Sequence, residues 1–103
     1  MIVRDANFPA DPKKALSNGI LEAEKEFLRI AHDASKSGTV ERAGSCAIIV
    51  LIVGEIAYVV NVGDSRAVMC LNGGKSFVQI STDHKPESPS EQERITLNGG
   101  RVY

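Results

Sequence analysis

Eight residues in a row, Cys46-Ala47-Ile48-Ile49-Val50-Leu51-Ile52-Val53, are apolar. The run has no period-2 alternation, is rich in β-branched side chains, and is too short to favour a helix. It therefore reads as a strand buried on both faces. Gly54-Glu55 follows, with glycine at the first central position of a two-residue type II′ turn. Ile56 to Val62 makes the return strand. A second tight turn, Gly63-Asp64, leads into a third strand, and Asn72-Gly73-Gly74 is a further turn before a short fourth. The expected strands are 45–53, 56–62, 65–71 and 77–80, an antiparallel β-meander. Its inner strands are apolar on both sides, so the fold needs two covering layers.

One cover is available upstream. Asp11 can cap a helix that starts at Pro12, where a missing N–H costs nothing. Leu16, Ile20, Ala23, Phe27, Ile30 and Ala34 are spaced four, three, four, three and four apart, a single apolar stripe on a helix over about 12–34. Glu22 with Lys25 and Glu26 with Arg29 can pair along the other side. Gly19 weakens the first turns. Residues 1–10 read as an extended lead-in, and 35–44 as a polar, glycine-containing loop. After the strands, Ser81-Thr82-Asp83-His84-Lys85-Pro86 is polar and extended. Ser88-Pro89-Ser90-Glu91 reads as a capping box opening a helix over about 89–98, stopped by Asn98-Gly99-Gly100. The chain is α+β, and it carries too little sequence to supply the second cover. A segment of a larger domain, or a subunit of an assembly, is the expected context.

Composition narrows the function. With 43% hydrophobic and 24% charged residues the chain is globular in character rather than disordered. The net charge of −1 comes with no cluster of Lys and Arg, which speaks against a nucleic-acid partner. The longest apolar run is too short to cross a bilayer. The N-terminus lacks the pattern of a signal peptide. Cys46 and Cys70 lie in apolar runs and read as buried thiols. The expected setting is intracellular, cytoplasmic or nuclear, with no membrane partner.

Asp64 is the carboxylate that most invites a functional reading. On a turn between two strands it is held by rigid elements at the end of a sheet, a good position for a ligand of Mg²⁺ or Mn²⁺. Spacing alone favours a backbone reading: aspartate tolerates unusual φ and bonds its own chain in tight turns. Asp83 and His84 are adjacent in an extended segment and so point to opposite sides. His84 has no second His or Cys at ligand spacing, and His32 sits near a helix end, where imidazole suits the dipole. Cys46 has no base in view and reads as inert. Arg66 reads as the partner of a nearby carboxylate. No phosphate-binding glycine loop or dinucleotide fingerprint is present.

Four segments taken together resemble one family. They are Ser45-Cys46-Ala47 with the strand behind it, Tyr58-Val59-Val60-Asn61-Val62-Gly63-Asp64-Ser65-Arg66-Ala67-Val68, Ser81-Thr82-Asp83-His84-Lys85-Pro86, and Glu91-Gln92-Glu93-Arg94-Ile95 through Gly99-Gly100-Arg101-Val102. In this order they resemble the metal-dependent protein phosphatases of the 2C type over roughly residues 8–103. The resemblance implies a sandwich of two antiparallel sheets with helices outside, of which this chain is a part. It implies a binuclear Mn²⁺ or Mg²⁺ centre whose bridging water attacks phosphoserine or phosphothreonine in a phosphoprotein substrate, the metals acidifying that water and stabilising phosphoryl charge. Of the family's metal-site residues only Asp64 carries over, beside the centre rather than within it. No Asp-Gly-His-Gly motif occurs here. Two further family aspartates lie beyond Tyr103, and the phosphate-gripping arginine has no match. No catalytic residue carries over, and no stable metal binding by the chain alone is expected. Two readings follow. One is the central segment of a phosphatase, inactive without the rest of its domain. The other is a non-catalytic derivative of the fold, serving as a binding or structural module among other protein subunits.

Overall fold

The computed structural model describes residues 1–38 and 40–103. Thr39, in the loop expected over 35–44, lies outside the described residues. Helix α1 spans Pro12–Lys36, strand β1 Ala47–Val53, β2 Ile56–Val62, β3 Val68–Leu71, β4 Ser76–Gln79, and helix α2 Pro89–Leu97. The chain is therefore mixed α+β. The contacts divide it into two compact units: Met1–Gly44 with Leu51–Tyr58, and Ser45–Val50 with Val59–Tyr103.

In the first unit, α1 starts where Asp11 Oδ1 accepts the Lys14 N–H at 3.1 Å, with Pro12 at the first helical position. The helix runs past residue 34, and exposed ion pairs line its last turns. Arg29 forks onto Glu26 (2.9 and 2.8 Å) and reaches Asp33 at 3.1 Å, and Lys36 meets Asp33 at 3.0 Å. Pro12, Ala15, Leu16 and Gly19 are its buried residues. They meet the N-terminal segment, which is not extended but coils into a 3-10 turn over Ile2–Arg4. A Cβ at Gly19 would lie 2.7 Å from Ile2 Cγ1. The glycine that weakens the helix intrinsically is thus the seat on which Ile2 rests. Asp5 locks the same corner: Oδ1 accepts from the Asn7 N–H (2.8 Å) and Asn7 Nδ2 (2.7 Å), and Oδ2 from Asn18 Nδ2 (2.9 Å). Further along the expected stripe, Phe27 and Ile30 are 40% and 52% exposed. The stripe exists in the sequence, but only its first turns are covered.

The strands form two sheets, β1 with β2 and β3 with β4, rather than one continuous meander. β1 and β2 are joined by Gly54-Glu55, with Gly54 at φ +60° and no positive φ at Glu55, as a type II′ turn requires. β3 and β4 are antiparallel, with Val68 opposite Gln79, Met69 opposite Val78, Cys70 opposite Phe77 and Leu71 opposite Ser76. The third strand begins at Val68, not Ser65: among the described residues no backbone ladder bond reaches residues 64–66, and the Ala67 N–H goes to the Ser81 hydroxyl at 2.8 Å. Parts of both sheets stay uncovered. Val50, Ile52, Val68 and Phe77 are 51–70% exposed. The expectation of buried thiols fails for the same reason. Cys46 lies ahead of β1 and Cys70 on an uncovered pair, and both are exposed and unbonded to each other. Ser88 holds the N-cap position of α2, but its hydroxyl donates back to the Lys85 carbonyl at 2.6 Å, and Glu91 is taken by Arg94 (3.0 and 2.7 Å). The capping box is therefore not closed. No described helix is long and apolar enough to cross a membrane.

Candidate functional site

In the second unit, a turn and a loop are tied together by side chains. The turn is 63–67, between β2 and β3, and the loop is 80–84, after β4. Gly63 must be glycine for two reasons. Its φ is +95°, and an added Cβ would fall 2.3 Å from Cys46 Sγ. Its carbonyl accepts from the His84 N–H and from Asn61 Nδ2, both at 3.0 Å, while Asn61 Nδ2 also donates to the Thr82 carbonyl at 2.5 Å. At the other end of the turn, the Ala67 N–H donates to Ser81 Oγ at 2.8 Å and the Ala67 carbonyl accepts from the Ile80 N–H at 3.0 Å.

Between those two ties stands an ion pair. Arg66 Nε donates to Asp83 Oδ1 at 3.0 Å and Nη2 to Oδ2 at 2.5 Å, two parallel bonds from one planar fork. The Arg66 hydrogen bonds, aided by its charge, hold the Asp83 carboxyl below the ordinary carboxylate range. Gln79 Nε2 adds a contact to Asp83 Oδ1 at 3.4 Å and donates to the Ser81 carbonyl at 2.6 Å. Beside this network lies a cavity of about 450 Å³, lined by Val59, Asn61, Gln79, Ile80, Ser81, Thr82 and His84. Asn61 Oδ1 is buried without a hydrogen-bond partner.

Asp64 sits on the exposed side of the turn. Its Oδ1 accepts from the Cys46 thiol at 3.4 Å, a weak donor. A hard divalent cation takes several oxygen ligands, and Asp64 offers one carboxylate. Among the described residues no three His, Cys, Asp or Glu side chains converge on a common point. The residues present therefore do not amount to a metal centre by themselves. Asp83 is committed to Arg66. Cys46 is drawn to Asp64 rather than buried, a contact between residues 18 apart in sequence that no local pattern announces.

The family model described as "Protein phosphatase 2C" matches residues 2–103. Among curated relatives, "Probable protein phosphatase 2C 57" of Oryza sativa subsp. japonica is 38% identical over 99% of this chain and 26% of its own length. "Probable protein phosphatase 2C 71" of Arabidopsis thaliana is 38% identical over 98% of this chain and 21% of its own length. "Probable protein phosphatase 2C 59" of Arabidopsis thaliana is 35% identical over 98% and 30%. The chain thus spans less than a third of the length of each of these relatives. No solved structure matches it.

Proposed function

Because the chain belongs to the protein phosphatase 2C family, we propose that it is the central segment of a phosphatase domain whose whole form hydrolyses phosphoserine and phosphothreonine in proteins. The observation that carries this reading is the pairing of family match with local architecture. The match covers residues 2–103, and the Gly63-Asp64-Ser65-Arg66 turn is fastened to Asp83-His84. In the whole domain Mn²⁺ or Mg²⁺ is the cofactor, with Asp64 at the edge of its site and the remaining ligands contributed from outside residues 1–103. The uncovered strand faces are where the rest of the domain packs. The two free cysteines suit a reducing compartment, cytoplasm or nucleus.

The segment alone is inactive on this reading. The test is hydrolysis of a phosphothreonine peptide with Mn²⁺ present, for the 103-residue chain and for the longer protein that carries it. The expected result is turnover by the longer protein, lowered by Asp64→Asn, and none by the short chain. Turnover by the short chain that disappears with Asp64→Asn would overturn the segment reading. A longer reading frame without Asp-Gly-His-Gly upstream, and without turnover, would make the chain a non-catalytic module instead.

A further inference from the structure

We propose that Arg66 is a positioning residue: its fork on Asp83 fastens the turn that carries Asp64 to the loop over 80–84, and so determines where the Asp64 carboxylate stands. The proposal rests on the phosphatase reading above, in which Asp64 borders the reacting site. Three observations carry it. First, residues 64–67 lie outside any strand, so no ladder holds the turn that bears Asp64. Second, the Asp64 carboxylate is exposed and its partner among the described residues is the weakly donating Cys46 thiol at 3.4 Å, so its position follows the backbone beneath it. Third, Arg66 is two residues from Asp64 and is the side chain of that turn with two bonds to the loop.

The geometry explains why arginine is needed. An exposed ion pair ordinarily contributes little. Here the carboxylate is the covered partner, with Asp83 13% and Arg66 56% exposed. Both Asp83 oxygens are engaged by different nitrogens of one planar group, which removes rotational freedom that a single-point contact leaves. Lysine would keep the charge and lose the fork. The backbone ties at Gly63 and Ala67 bracket the ion pair on both sides, so loosening it frees the middle of the turn, where Asp64 is.

The test uses the longer protein carrying this segment, with Arg66→Lys, Asp83→Asn, Asp64→Asn and the exchanged pair Arg66→Asp with Asp83→Arg. Two readouts are taken: hydrogen exchange at the Ala67, Ile80 and His84 amides, whose bonds join the turn to the loop, and kcat against KM for a phosphothreonine peptide with Mn²⁺. Arg66→Lys and Asp83→Asn are expected to speed exchange at these three amides by about tenfold and to lower kcat by about tenfold with KM nearly unchanged. The exchanged pair should recover part of both losses. Asp64→Asn should lower kcat without changing exchange. Exchange and kcat both at wild-type values in Arg66→Lys would overturn the proposal, as would a fall in kcat with exchange unaltered. Accelerated exchange in Arg66→Lys with kcat indifferent to Asp64→Asn would overturn it too. If the wild-type protein shows no turnover, the phosphatase reading fails, and the exchange data alone decide whether Arg66 holds the turn.

Discussion

The start of α1 and the Asp64 turn are both local corners of the chain, yet they are held by opposite means. The helix start is held by burial. Ala15 and Leu16 are 0% and 1% exposed, and Ile2 fits against Gly19. Apolar area taken from water is the main stabilising term there. Among the described residues the Asp64 turn has no fully buried side chain near it, and it is held by directional bonds from Asn61, Arg66 and the His84 amide and by one to the Ser81 hydroxyl. A packed corner resists change, whereas a polar corner can leave a carboxylate in the open while defining its backbone.

Breaking the packed corner should have the largest effect. Leu16→Ala is expected to cost about 2–5 kcal/mol, read as a lower urea midpoint for loss of helical circular dichroism. Gly63→Ala should follow closely. A positive φ and a Cβ 2.3 Å from Cys46 Sγ together cost about 2–4 kcal/mol. Adding Cys46→Ala should return most of the steric part, the Cβ at position 46 remaining 3.0 Å away, and leave the φ part. A full recovery would show that φ strain contributes nothing at Gly63. Asp11→Ala removes the cap of α1 and should cost about 1 kcal/mol, visible as the same midpoint shifted less.

The smallest effect is expected at the ion pair, and its signature is pH. Arg66 lowers the Asp83 pKa in the folded chain, so the stabilisation is complete above the unfolded value of about 3.9. It is lost as pH falls through the depressed folded value. Wild type and Asp83→Asn should therefore differ in denaturation midpoint at neutral pH and converge in acid, below about pH 4. A difference that grew as pH fell would contradict the assignment. Asp5, held below its ordinary range first by the Asn18 side chain and then by Asn7, should show the same sense of pH dependence at the packed corner.

Much of this was legible in the sequence where neighbours decide the outcome. The cap at Asp11, the hairpin at Gly54-Glu55 and the pairing of Glu26 with Arg29 follow from residues at most four apart. The capping box expected at Ser88 and Glu91 does not close, because two local partners compete for Glu91 and Arg94 holds it with two charge-assisted bonds. Arg66 could be assigned a carboxylate from sequence, but not which one.

Periodicity, propensity and turn chemistry act over a few residues, and they set the α+β order of elements, the strand turns and the family motifs of this chain. Which half of the α1 stripe is covered, that Gly19 is a seat rather than a flaw, that Cys46 lies open beside Asp64, and that Arg66 grips Asp83 depend on residues 13 to 18 apart meeting in space. Those meetings are set by excluded volume and by the competition of each polar group among several partners. No window of sequence contains both sides of that competition.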